Sequence, residues 1–307
     1  MEQQSIDIIP KYQEHIYDVP FLSKTHKEFV LWFYTGSKCN LSCTHCYVES
    51  SPTANQHPLL SMETFNAKLD EAVSKNYKKL DIYFTGGEPF INPNLLQMFE
   101  NSLKHGNTTV LTNATKITKK KALELSKIQE NSSNKLVFRV SLDGATPESN
   151  DKIRGKKAFE RATIGIQNLV NQGFNPIVTT MRSWSLLSEK KVEDQFIQLL
   201  VNHGIPKENQ ILKILPPLRI GREVTRDRGY GSDELFTEEC FDDYDFNNLQ
   251  CSKCRMVTER GVWVCPILVN VDSAKMGETL SDTEKPYAMR DMACWTCRMD
   301  GMVCTND

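Results

Sequence analysis

Six runs rich in β-branched and aromatic residues recur along the chain: FVLWFYTG (29–36), LDIYFTGG (80–87), TTVLTN (108–113), LVFRVSLDG (136–144), PIVTTM (176–181) and ILKILPP (211–217). Near-continuous apolar runs of this kind read as strands buried on both faces, the habit of parallel sheets. Between them, Met62, Phe65, Leu69 and Ala72 recur at spacings of three and four, as do Phe159, Ala162, Ile166, Leu169 and Val170, then Val192, Phe196 and Leu199. Each set puts one apolar stripe on a helix. Six strands, each of the first five followed by a helix, imply a parallel sheet with right-handed crossovers. The expected fold is α/β, a partial (β/α)6 barrel of the TIM type, with a smaller cysteine-rich extension behind it.

In such barrels the chemistry gathers at the C-terminal ends of the strands. KCNLSCTHC (38–46) follows the first strand, GGEP (86–89) ends the second, TNA (112–114) the third and SLDG (141–144) the fourth. Taken singly, each of the last three is ordinary turn chemistry. Taken together, they converge on one rim. Cys39, Cys43 and Cys46 fall within eight positions, with no fourth cysteine nearby. A structural zinc wants four ligands, and a catalytic zinc usually mixes in histidine or carboxylate. Three soft thiolates instead suit a [4Fe-4S] cluster whose fourth iron stays free for another molecule.

Composition narrows the partners. With 37 basic and 39 acidic residues the net charge is −2, which points away from nucleic acid and membrane surfaces and towards a peptide or small molecule. The first twenty residues are polar, and no apolar run approaches the roughly 18 residues of a membrane span. A cytoplasmic location follows as the expectation. There, ten clustered cysteines more often bind metal than form disulfides.

On these motifs the chain resembles the radical S-adenosylmethionine (SAM) superfamily, whose C-x3-C-x2-C signature is matched by Cys39, Cys43 and Cys46. The likeness extends over most of residues 29–217: GGEP looks like the family's SAM-methionine motif, and SLDGATPESNDKIRG is similar to the stretch after its fourth strand. The resemblance implies that the free iron chelates SAM and that the reduced cluster cleaves it to methionine and a 5′-deoxyadenosyl radical. It also implies an external one-electron reductant such as flavodoxin or ferredoxin. Gly86, Gly87, Glu88 and Pro89 are then cofactor-binding candidates, with Glu88 placed to accept a charge-assisted bond from the methionyl ammonium. Ser141 and Asp143 are candidates for ribose or amino groups, and Arg154 for the SAM carboxylate. Asn113 is a further candidate, although Ala114 stands where the family often has glycine. His45, in place of the aromatic residue common before the third cysteine, is expected to pack beside SAM without ligating iron.

The tail holds Cys240, Cys251, Cys254, Cys265, Cys294, Cys297 and Cys304. This pattern looks like the cluster-bearing twitch or SPASM extension of the same superfamily, with the glycine-to-cysteine gap one residue shorter than usual. Seven cysteines fall short of the roughly eight that two clusters need. One auxiliary [4Fe-4S] cluster is therefore expected, on Cys251, Cys265, Cys294 and Cys297, with Cys254 and Cys304 as alternates. Cys251 and Cys265 flank an expected hairpin with ERG at its turn. Two CxxC pairs are also a familiar zinc arrangement.

The organisation expected is an N-terminal segment (1–28), a partial barrel (29–220), a linker (221–248) and the cluster-bearing extension (249–307). Arg219 and Arg222, near the start of the charged linker, are placed to meet an anionic substrate group or simply to be solvated. The alternative to an enzyme is a non-catalytic iron-sulfur electron carrier or a zinc-stabilised protein, which leaves GGEP and SLDG idle. Relatives with such extensions modify peptides, oxidise aminocyclitol alcohols or rearrange a nucleotide for molybdenum cofactor. The last of these typically ends in two glycines, whereas this sequence ends CTND. About 28 residues before the first strand argue against one mode of leader binding but not against a peptide substrate.

Overall fold

The computed structural model describes residues 12–306. Its first half runs β1 (Tyr12–Val19), α1 (Ser23–His26), β2 (Glu28–Tyr34), α2 (Met62–Ser74), β3 (Lys79–Thr85), α3 (Leu95–Ser102), β4 (Thr108–Thr112), α4 (Lys119–Glu130), β5 (Leu136–Ser141) and α5 (Pro147–Arg154). Then come α6 (Ala158–Val170), β6 (Ile177–Met181), α7 (Glu189–Asn202), β7 (Leu212–Leu215), α8 (Glu223–Arg226), β8 (Cys254–Thr258), β9 (Gly261–Trp263), β10 (Lys275–Gly277), β11 (Tyr287–Asp291) and α9 (Ala293–Arg298).

Strands β2 to β7 pair side by side and parallel, so the six expected strands are all present in sequential order. Period-two alternation decides which side chains go where. On β2, Phe29, Leu31 and Phe33 join the outer core under the helices, while Val30, Trp32 and Tyr34 join an inner core. Helix α2 starts where Ser61 accepts from the Thr64 amide at 3.1 Å, and it lays Phe65, Leu69 and Ala72 on the sheet. Burying a side chain such as Phe65 contributes about 1.5–3 kcal/mol. Helix α5 starts with Thr146 as cap and Pro147 in its first turn, where a missing N–H costs nothing.

The tail does not stand apart from this sheet. Strand β8 pairs parallel with β2, Val30 opposite Cys254, and β9 returns antiparallel to it around Glu259 and Arg260, which is the expected hairpin. The full order is β10-β9-β8-β2-β3-β4-β5-β6-β7, an open sheet with β7 and β10 at its edges, and β1 pairs β11 in a separate ribbon. Tail residues Met256, Val264, Leu268 and Met289 share the inner core with Trp32 and Tyr83. Barrel and tail therefore bury apolar surface against each other. Among the described residues no helix is long and apolar enough to cross a membrane.

Candidate active site

The loop after β2 carries Cys39, Cys43 and Cys46 to the edge of a cavity of about 230 Å³. Backbone contacts hold the loop: Cys39 N–H donates to Ser51 O at 3.0 Å and Thr44 N–H to Ile153 O at 2.9 Å. Arg222 clamps it from outside, donating from Nε to Cys43 O at 2.8 Å and from Nη2 to Ser50 O at 2.6 Å. Gly87 lets the end of β3 come close: a Cβ there would stand 2.2 Å from Lys38 O. Only glycine permits that approach.

Gly86 and Gly87 line the cavity, whereas Glu88 and Pro89 do not. Glu88 is 1% exposed, and its carboxylate accepts from Thr112 Oγ1 at 2.7 Å, Asn113 N at 2.8 Å and Phe90 N at 3.1 Å. Burial raises its pKa against the opposing pull of those donors. These three donors make Glu88 a tie between the β3 and β4 ends, set back from the cavity lining where the expected hold on a ligand ammonium would lie. Asn113, held by that tie, lines the cavity and directs Nδ2 at Asn40 Oδ1 (3.1 Å) and Cys39 Sγ (3.7 Å).

Ser141 and Asp143 at the end of β5 and Arg154 at the end of α5 also line the cavity. Asp143 is the hub: its Oδ2 lies 2.6 Å from Arg154 Nε and 2.5 Å from His45 Nε2, and its Oδ1 accepts from Met181 N at 3.0 Å. Burial opposes the charge of Asp143, but Arg154 and His45 hold its carboxyl well below the usual carboxylate range. Arg154 is therefore partly spent on Asp143. His45 is tethered to the same hub at the cavity wall.

A second cavity, of about 30 Å³, lies between the segment before β8, the loop after β9, β11, α9 and the chain segment after α9. Cys251, Cys265, Cys294, Cys297 and Cys304 all border it, along with apolar neighbours such as Leu268 and Met289. Burial pushes the thiol of Cys251 up to about 11, with Arg255 partly opposing. Cys254 does not border the cavity and directs its thiol at Val264 O, 3.7 Å away. Cys240 sits apart, its sulfur accepting from Thr237 N at 3.4 Å. Pro266, Ile267, Met302 and Cys304 wall the large cavity, and Ile267 and Cys304 border both.

Arg219 is not free for an anionic ligand: it pairs with Glu234 and, at 3.3 Å, with Asp300. Sequence reading also missed several residues of the large cavity. Thr85, Tyr47 and Arg139 line it. Thr85 and Tyr47 flank motifs already singled out, and Arg139 is a lone cation in the apolar run of β5, a signal that was there to be read.

A family model described as the radical SAM superfamily matches residues 33–200, more than half of the chain. The chain belongs to the radical SAM superfamily. It is similar to the antilisterial bacteriocin subtilosin biosynthesis protein AlbA of Bacillus subtilis, 36% identical over 46% of this chain and 30% of AlbA. The Fe-coproporphyrin III synthase of Methanosarcina barkeri is 34% identical over 49% of the chain and 36% of the synthase. Mycofactocin maturase MftC of Mycolicibacterium smegmatis is 27% identical over 54% of the chain and 40% of the maturase. The chain thus covers between 30% and 40% of the length of these curated relatives. Native anSMEcpe with bound AdoMet superposes with a TM-score of 0.60 at 16% identity, over 83% of this chain and 79% of that one. Streptococcus suis SuiB bound to S-adenosylmethionine does so with a TM-score of 0.56 at 17% identity, over 83% and 65%. At such identities the likeness is one of fold. These two structures share the α/β partial-barrel architecture described above.

Membership implies a [4Fe-4S] cluster that binds SAM. The large cavity fits that pair chemically: three soft donors sit on one side, and hydroxyl, amide and carboxylate groups sit along the other strand ends. Burial pushes the Cys39 thiol up to about 12, and a coordinating metal is what turns such a thiol into a thiolate.

Proposed function

We propose that the chain is a SAM-cleaving enzyme that abstracts hydrogen from a peptide substrate in the large cavity. The observation that carries this reading is the convergence of Cys39, Cys43 and Cys46 with the ends of β3, β4 and β5 on one cavity that the tail also walls. When bound there, the cluster supplies the electron that cleaves SAM to methionine and the 5′-deoxyadenosyl radical. Cys39, Cys43 and Cys46 hold the cluster. Gly86 and Gly87 admit the ligand close to backbone, Asn113 and Ser141 offer polar groups to it, and Glu88 fixes the strand ends from behind. The Asp143, His45 and Arg154 hub positions polar side chains at the wall. Names among the relatives, a bacteriocin biosynthesis protein and mycofactocin maturases, support a peptide over a small metabolite.

In the same reading, residues 249–307 form the extension that carries an auxiliary [4Fe-4S] cluster on Cys251, Cys265, Cys294 and Cys297. Cys304 is the fifth thiol at that cavity. Support comes from the arrangement of five thiols around one cavity. Ile267 and Cys304, which border both cavities, would stand between the two clusters, and the auxiliary one would supply an electron acceptor for substrate oxidation. An external one-electron reductant completes the cycle. Anaerobic incubation of reconstituted, dithionite-reduced protein with SAM should release 5′-deoxyadenosine, measured by chromatography with mass detection. No release above that of protein-free controls would leave the carrier reading in its place.

A further inference from the structure

Strand β5 sends Phe138 and Val140 into the outer core and Arg139, between them, to the wall of the large cavity. Arg139 is 1% exposed. Its Nε donates to Thr179 Oγ1 at 3.2 Å, and its Nη1 donates to the main-chain carbonyls of Cys304 and, at 3.3 Å, Thr305. None of these partners carries a formal negative charge. Nη2 makes no hydrogen bond among the described residues.

The other charged groups at this wall are already matched. Arg154 and His45 share Asp143. Outside the cavity, Arg219 has Glu234 and Asp300, and Arg182 has Glu189. Arg139 has no carboxylate partner among the described residues. A guanidinium does not shed its proton in a protein, so burying it without a counter-charge is unfavourable. Holding two carbonyls does not need a charge. A neutral donor would do it.

We propose that Arg139 is the specificity residue of the cavity and takes a carboxylate of the substrate. This inference rests on the cavity being the reaction chamber proposed above. The planar fork of a guanidinium matches a carboxylate, and the apolar wall around it, including Leu111, Leu215 and Ile267, strengthens such a pair. The carboxylate belongs either to an acidic side chain or to a peptide C-terminus.

The test uses oxidised, reconstituted holoenzyme with SAM and three tripeptides: one with a glutamate side chain and blocked ends, one with glutamine and a free C-terminal carboxylate, and one with glutamine and blocked ends. Calorimetry should show at least one acidic peptide binding about tenfold or more tightly than the neutral one, a gap typical of one charge-assisted pair. Which acidic peptide wins identifies the source of the carboxylate. Arg139→Gln should erase the gap while SAM binding and iron content persist. Should Arg139→Gln fail to take up iron, Arg139→Lys decides, since it keeps the charge without the fork and should shrink the gap without abolishing it. Equal binding of all three peptides to the wild type, no binding of any, or a full gap in either variant would overturn the proposal. Release of 5′-deoxyadenosine after anaerobic dithionite reduction of the same preparations separates that failure from a failure of SAM cleavage.

Discussion

Cys39, Cys43 and Cys46 sit on one loop beside a cavity of about 230 Å³, whereas Cys251, Cys265, Cys294, Cys297 and Cys304 reach a cavity of about 30 Å³ from separate stretches of chain. The first site is roomy and edged with polar strand ends. The second is tight and mostly apolar, and its thiols meet only because β8 adds to β2 and the chain after α9 folds back across the barrel. Room beside the thiols suits a cluster that must also receive a ligand. Five thiols at the border of a small apolar cavity would suit, in the proposed reading, a cluster that only passes electrons, since apolar surroundings and thiolate ligation at every iron would keep other molecules out.

The contrast is broken most severely at the barrel loop. Replacing Cys39, Cys43 or Cys46 by alanine should abolish release of 5′-deoxyadenosine, because a cubane missing one of three thiolates cannot keep its open iron in place. Full SAM cleavage by all three variants would remove the distinction between the two cavities.

The tail variants should behave differently. Alanine at Cys251, Cys265, Cys294 or Cys297 is expected to lower iron from about eight per chain to about four, two cubanes to one. SAM cleavage with a chemical reductant should survive, while product formation should not. Cys240→Ala and Cys254→Ala should leave iron unchanged, as neither thiol borders the cavity. Cys304→Ala separates a spare thiol from a ligand: retained iron keeps the four-cysteine set, and lost iron admits Cys304 to it. About four irons with one tightly held zinc in the wild type would make the tail a structural clip.

A smaller effect is expected at Glu88. Glu88→Gln keeps the shape but presents an NH2 group to donors, since Thr112 Oγ1, Asn113 N and Phe90 N all point at the carboxylate. Loss of a buried charge-assisted bond costs about 1.5–3 kcal/mol, readable by anaerobic denaturant unfolding. Because Asn113 hangs on the same tie, SAM affinity should also fall. An unchanged midpoint together with unchanged SAM affinity would show that the strand-end tie is not what shapes the larger cavity.

The barrel site was legible because its information is local. Cys39, Cys43 and Cys46 declare themselves by spacing, and the strand ends by following apolar runs of the right length. What each side chain does there was less legible: Glu88 was expected at the ligand and its carboxylate accepts from Thr112 and Asn113, and Arg219, read as either an anion contact or a solvated side chain, is paired to Glu234. Both depend on donors and acids brought near by folding, which spacing does not encode. The tail shows the same limit at larger scale. Its hairpin could be read from ERG between two apolar runs, but the merging of β8 into the barrel sheet is a pairing over more than two hundred residues. Arg139 is the instructive intermediate, visible in sequence as a charge in an apolar strand yet given meaning only by the absence of an acid beside it among the described residues.

The smallest expected effect is at Ala114, next to the cavity-lining Asn113, where a backbone turn sets how closely β4 approaches α6. Ala114 has φ of 57°, in the left-handed region, and is fully buried. Its neighbour on α6 explains how the turn fits: a Cβ on Gly165 would stand 2.3 Å from Ala114 O. Ala114→Gly removes a left-handed strain of about 1–2 kcal/mol. It also removes a buried methyl worth about 0.8 kcal/mol and adds freedom to the unfolded chain. These nearly cancel, so unfolding should shift by less than about 1 kcal/mol, and 5′-deoxyadenosine release should be unchanged. Gly165→Ala provides the control. Alanine normally favours a helix interior over glycine by about 1 kcal/mol, but here overpacking should make it destabilising by about 1–3 kcal/mol. Adding Ala114→Gly should not rescue it, because the clash is with a carbonyl oxygen that glycine also carries. A double variant as stable as the wild type would show instead that the two side chains, and not the backbone turn, set the distance between β4 and α6.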